Sequence, residues 1–305
     1  MRPLPKPHFH KLQALLENPQ LPETDKPRVH RAIQDYSSWI AELETIAPGA
    51  QDAVEQLVEA TNRYKRAIEL DLIFDSPNNF LYRQKGQLKL DNTILEEFLP
   101  HLLYRSLRGL QEGFVFGPSK TFAGISFLSS LSQLGVGGLP LIRTKDQDCV
   151  VGKPIFVKAS FDRGFPSEGT ANIESFLGYV CIEIKTNLDK TMFQEAVATS
   201  RDLKISVPNA LYFLVCEFLD MMPISITSTL IDDVMIVRKT KRMAVSIRQS
   251  FKTSEARQLY RDNYAEFLDK SKYYPDVFQR MINKIQSRVD AADPDPNTVL
   301  AQGHF

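Results

Sequence analysis

The stretch Tyr179-Val-Cys-Ile-Glu-Ile-Lys185 is an apolar, β-type run that closes on a carboxylate and an ammonium. With a side-chain period of two, Tyr179, Cys181, Glu183 and Lys185 share one face, and Val180, Ile182 and Ile184 turn the other way into a core. Glu183 and Lys185 then stand roughly 6.5–7 Å apart at Cα. Opposite charges held together at the rim of a half-buried strand are costly unless they complete each other or a ligand. An acid–x–Lys triplet arises about once by chance in a chain of this size, so its context decides its meaning. Asp202-Leu203-Lys204 is an internal control: it has the same spacing but lies in a polar helical stretch. The competing reading of Glu183 and Lys185 is a plain ion pair at a sheet edge.

A second carboxylate on a neighbouring strand would change that balance. Two acids can hold a divalent cation such as Mg²⁺ at about 2.0–2.1 Å, and a nearby lysine can stabilise charge developing on a phosphodiester or orient water. Two candidates precede Glu183. Asp148 heads Asp148-Cys-Val-Val, read as a short strand turned at Gly152-Lys153; Asp162 closes Ile155-Phe-Val-Lys-Ala-Ser-Phe before Arg163-Gly164. Asp148 is favoured because an acid heading an apolar strand leaves its carboxylate at the open end of the sheet, and Asp162 stays as the alternative.

The elements that must position these groups fall into three parts. Residues 1–112 read as helical, with apolar residues at helical spacing over Pro27–Ile46, 52–72 and Thr93–Leu110. Residues 113–291 carry short β-branched runs at 114–116, 149–151, 155–157, 179–184, 211–216 and 234–237, followed by helices over 254–272 and 275–291. A helix over Asp189–Lys204, with Asp189 as its N-cap, separates two of the strands. Residues 292–305 read as a frayed tail. The fold class is α+β with an α/β element: helices first, then a mixed sheet flanked by helices.

An acid, a strand ending Glu-x-Lys, a helix and another strand together resemble the PD-(D/E)XK nuclease superfamily. The continuation from Glu183 to Ala196, with Cys216-Glu-Phe-Leu-Asp-Met-Met-Pro223, is similar to type II restriction endonucleases of the group near BbvCI. That resemblance covers about 145–257. It implies Mg²⁺ on Asp148, Glu183 and the Ile184 carbonyl, Lys185 as base or charge stabiliser, double-stranded DNA as substrate, and a homodimer or paired subunits. Gln147 stands where the superfamily pattern has Pro. Lys190 and Gln194, four apart on the following helix, are auxiliary candidates for a phosphate or a water.

Overall charge is no guide to the substrate, since 37 basic residues balance 37 acidic ones over 305 residues. Its distribution is informative. Between 236 and 257 lie Arg238, Lys239, Lys241, Arg242, Arg248, Lys252 and Arg257 against Glu255 alone, a footprint suited to phosphates. Gly113 to Thr121 lacks the glycine–lysine adjacency of a phosphate loop, and Gly135-Val-Gly-Gly138 lacks a dinucleotide fingerprint. His8, His10, His30, His101 and His304 are scattered, and His8 and His10 sit in a start read as exposed. Three isolated cysteines, no apolar run near 18 residues and no leader-like start predict a cytoplasmic, non-membrane protein. A repair or structure-specific nuclease of the same core, or a non-enzymatic DNA-binding protein, are the alternatives.

Overall fold

The computed structural model describes residues 3–110, 113–128, 138, 140–291 and 295–303. Gly135 to Gly137 and parts of the predicted tail lie outside them. Helices α1 (Pro7–Leu16), α2 (Lys26–Thr45), α3 (Ala53–Arg66), α4 (Phe80–Gln87) and α5 (Thr93–Ser106) make the first part. In α2, Pro27 opens the first turn, and Val29, Ala32, Tyr36, Ile40 and Leu43 recur every three or four residues and are buried. Trp39 anchors this helix, stacked on Tyr64 with ring centroids 4.6 Å apart. A π-helical stretch, Ala67–Phe74, continues α3.

Strands β1 (Val115–Phe127), β2 (Pro140–Ser160), β3 (Thr170–Leu188), β4 (Leu211–Leu219) and β5 (Asp233–Ile236) form one sheet in chain order. The β1–β2 and β2–β3 pairs are antiparallel, β3–β4 and β4–β5 are parallel, and β1 also meets β3 in parallel at Thr121–Phe176. Helix α6 (Lys190–Ser206) is the crossover from β3 to β4. The β3 alternation has the expected consequence. Val180 and Ile182 join the core beneath the N-terminal helices, while Cys181 joins a second core with Phe193 and Ala196 of α6. The larger core runs without interruption from Leu12 through the sheet to Ile285.

Several local readings need correction. Gly152-Lys153 is not a turn, because β2 continues through it. A side chain at Gly152 would meet the Leu177 carbonyl oxygen at 2.4 Å, and the pairing slips there by one residue against β3. Glycine here marks a bulge with close backbone approach, not a reversal. The stretch 113–121 lies mostly in β1. The predicted helix over 254–272 divides into α8 (Ser254–Leu259) and α9 (Arg261–Lys270), after a short α7 (Val245–Ser250). Helix α10 (Pro275–Asp290) follows, and the predicted tail contains α11 (Pro296–Gln302), capped by the Asp295 side chain. Among the described residues no helix is long and apolar enough to cross a membrane.

His8 is buried instead of exposed. Its ring is within hydrogen-bonding distance of Thr93 Oγ1 at 3.0 Å and Tyr64 Oη at 2.7 Å, and Glu97 accepts its backbone amide. Burial, then the Lys65 charge, lowers its pKa from 6.5 to about 3; burial lowers that of His101 to about 4. Each imidazole therefore stays neutral in the fold and protonates first in the unfolded chain. Their stabilising contribution is complete above pH 6.5 and is lost as pH falls towards those lowered values. Urea midpoints measured from pH 7 to pH 4.5 are expected to fall, each histidine contributing about 1.4 kcal/mol per pH unit. Replacing both by Gln should flatten that decline.

Candidate active site

The β2–β3 ladder ends at the pair Cys149–Ile182, and the next residue of each strand is an acid, Asp148 and Glu183. Asp148 Oδ2 accepts the backbone N–H of Ile184 at 2.7 Å, which ties the first acid to the strand carrying the second. Its Oδ1 accepts no hydrogen bond among the described residues. Burial, opposed by that hydrogen bond and reinforced by the Glu183 charge, raises the Asp148 pKa.

Glu183 is held from two sides. Lys185 Nζ lies 2.9 Å from its Oε1, and the Tyr212 hydroxyl on β4 donates to its Oε2. Burial works against the Lys185 ammonium, but the hydrogen bond and charge of Glu183 outweigh it and raise its pKa. Tyr212 pairs with Cys181 across the parallel ladder, which puts its ring on the same face as Glu183. The control triplet behaves differently: Asp202 pairs with Lys145 at 2.9 Å, and Lys204 turns away to Asp232 at 2.5 Å. Helical geometry separates what the strand brings together.

Asp162 lies far from this centre. It sits in the turn that closes the β2–β3 hairpin, its Oδ1 accepting the Gly164 amide at 2.7 Å. Eleven residues of β2 separate Ser160 from Cys149, about 37 Å of extended chain. Asp189 caps α6 through Met192 N at 2.9 Å, and Lys190 and Gln194 are exposed on its first turns.

The basic segment needs the largest revision. Arg238 is no DNA ligand in this fold: it is only 2% exposed. Its guanidinium donates to Glu69 at 2.7 Å, Glu217 at 2.9 Å and the Ser271 carbonyl at 2.6 Å. Arg257 is likewise internal, satisfied by the carbonyls of Phe74, Phe251, Ser76 and Asn78. Lys239 is exposed but paired with Asp276 at 2.5 Å. Lys241 and Lys252 are exposed, with no ion pair among the described residues. Arg242 lies 3.7 Å from Asp220, and burial and then the neighbouring Arg248 charge lower its pKa. Arg242 and Arg248 therefore stand as neighbouring cations, with Asp220 beside the first. Lys241 bridges Leu219 at the end of β4, and Leu219 pairs with Leu188 of β3, three residues past Lys185.

Two further residues escaped the sequence reading. Tyr212 looked like any strand aromatic. Glu96, within the helix read over Thr93–Leu110, borders with Asp148, Asp146, Lys120 and Gln147 an open cavity of about 420 Å³. Burial and then the Asp148 charge raise its pKa. Pro100 within α5 removes the amide that the Glu96 carbonyl would otherwise accept, loosening that turn. The internal proline was the one available signal.

The donors here are hard oxygens, which suit Mg²⁺ or a similar ion over softer metals. Among the described residues no three His, Cys, Asp or Glu side chains converge into a ready cage. That is compatible with Mg²⁺, which is commonly held by one or two carboxylates with substrate phosphates and water completing its shell.

Comparison with known proteins places this arrangement. The sequence model of the Bpu10I restriction endonuclease family matches residues 87–305, a span that includes all five strands. A chain of the native BbvCI A2B2 tetramer is similar in fold, with a TM-score of 0.57 and 20% identity, covering 88% of this chain and 98% of that one. A search of the curated proteins finds no match. With well over half its length matched, the chain belongs to the Bpu10I restriction endonuclease family.

Proposed function

We propose that the chain is a Mg²⁺-dependent type II endonuclease that hydrolyses double-stranded DNA at a short specific sequence, working as a homodimer or with paired subunits. The observation that carries this reading is the junction of Asp148 with the Glu183–Lys185 strand through the Ile184 amide. Asp148, Glu183 and the Ile184 carbonyl would hold the cation, which when bound supplies positive charge to the scissile phosphate and acidifies water. Tyr212 fixes the rotamer of Glu183. Lys185 presents an ammonium at the strand rim, where negative charge builds on the phosphate. Lys190 and Gln194, together with Lys241, Arg242, Arg248 and Lys252, would meet the DNA backbone. A duplex cut needs two such centres, which supports pairing; the structurally similar BbvCI is an A2B2 tetramer.

The test is a digest of long phage DNA and supercoiled plasmid with Mg²⁺, with a chelator control. Discrete fragments, or discrete nicks if a different partner chain must supply the second cut, support the proposal. A smear would make it a non-specific nuclease, and unbroken DNA would remove the catalytic reading.

Glu96 offers a more graded measurement. Glu96→Gln removes a negative charge beside Asp148 while keeping the side-chain shape. The Mg²⁺ concentration for half-maximal cleavage is expected to rise about 10- to 100-fold. An unchanged Mg²⁺ titration would show Glu96 to be a bystander.

A further inference from the structure

Helix α7 buries none of its residues, yet the chain is fixed on both sides of it. Before the helix, the Arg242 amide donates to the Leu219 carbonyl at 3.3 Å, and Met243 packs against the cluster of Leu70, Phe74 and Tyr264. After it, Phe251 is buried in that same cluster, and Arg257 donates to the Phe251 carbonyl at 3.1 Å. The fold thus holds a short helix in place while keeping it out of the core. Val245 is 57% exposed and Ile247 48%, apolar surface left in water.

At 3.6 residues per turn, the side chains of α7 divide into two faces. Arg248 turns back towards the protein, its Nε donating to the Met243 carbonyl at 3.0 Å. The opposite face carries Ser246, Gln249 and Ser250, spaced i, i+3 and i+4 and all exposed. Val245 and Ile247 border that face on its two sides. The Ser250 hydroxyl donates to the Ile247 carbonyl at 2.6 Å. The Ser246 hydroxyl and the Gln249 amide have no hydrogen-bond partner among the described residues.

A carboxamide flanked by aliphatic groups has the chemistry of an A·T reader. Gln bonds adenine N6 and N7 together, and apolar side chains meet the thymine methyl. The charges around it suit the same ligand: residues 241–252 contain Lys241, Arg242, Arg248 and Lys252 and no acid. Cations that hold phosphates therefore frame groups that can read base edges. Position agrees as well. Leu219 pairs with Leu188, three residues past Lys185, so chain lengths alone keep Val245 within about 30 Å of Lys185, about nine base pairs of duplex.

We propose that α7 enters the major groove of the substrate duplex and reads an A·T pair through Gln249, with Val245 and Ile247 against thymine methyls. The inference rests on the sequence-specific cleavage of the functional reading above and assigns it a reading element. The test uses the full-length protein and its Gln249→Ala variant. The wild-type site is first read from the ends of the fragments or nicks on phage DNA. Single-turnover cleavage with Mg²⁺ is then compared on the site duplex and on duplexes carrying each single base-pair change. Melting temperature, and gel shift on an unrelated duplex in chelator, are measured in parallel. Gln249→Ala is expected to melt as the wild type does, because the side chain lies in solvent. It should lose about 10- to 100-fold of discrimination at one A·T pair of the site and keep the rest. Discrimination kept at every position overturns the inference and leaves specific cleavage standing. An equal loss on all duplexes, the unrelated one included, makes Gln249 a backbone contact and also overturns it. A wild type that cuts without sequence preference, or does not cut, removes the functional reading and the inference with it.

Discussion

Lys185→Ala is expected to lower strand cleavage by about a thousandfold or more while leaving metal-free DNA binding within about twofold. Removing one preorganised group that stabilises transition-state charge costs about 10²–10³ in rate, and more when it also positions a neighbour. In the proposed mechanism Lys185 does both, and its Nζ stands 2.9 Å from Glu183 Oε1. The fold should survive, because the side chain is partly exposed and Tyr212 still holds Glu183. Rates from single-turnover cleavage, with a gel shift in chelator, separate chemistry from binding. A variant that cleaves within tenfold of wild type would strip Lys185 of its assigned role.

Arg238→Ala is expected to act on stability instead. Arg238, Lys65, Glu69 and Glu217 form a network that water does not reach, closed by the Tyr273 hydroxyl on Glu217 at 2.7 Å. Burial penalises the Glu217 charge, but Lys65 and Arg238 overcome the penalty and hold its pKa below the ordinary range. Removing one cation strands buried carboxylates, which costs about 3–5 kcal/mol. Set against a typical total of about 5–15 kcal/mol, that is a large fraction. Urea unfolding followed by far-UV circular dichroism should show the loss directly. DNA binding per folded molecule should stay constant, whereas a direct phosphate contact would lower it with no change in midpoint.

This contrast shows where the amino-acid string was legible. Strand alternation in β3 has one physical solution once one face is buried, so the shared face of Cys181, Glu183 and Lys185 could be read directly. The Asp189 cap and the helix after it follow from local chemistry as well. What stayed hidden depends on partners distant in sequence. Arg238 and Lys241 are alike as letters, yet Glu69 and Glu217 draw one inside and leave the other in solvent. Gly152 carries the same turn signal as any loop glycine, and only the approach of Leu177 shows that it serves a bulge. His8 is buried because α5 supplies Thr93 and Glu97, residues far along the chain. Glu96 is conspicuous only once Asp148 stands near it.

The internal ion network also constrains when the protein can form during its synthesis. Its members come from residues 65, 69, 217 and 238, and Asn62 accepts the Tyr273 amide at 2.7 Å. A ribosome-bound chain that stops before residue 238 has Glu217 and Glu69 without their guanidinium, so the network cannot close. Because such long-range closures come late, folding completes only as the last helices emerge from the exit tunnel. Prematurely terminated translation products ending before residue 238 would lack the guanidinium of this network, although they already contain Asp148, Glu183 and Lys185.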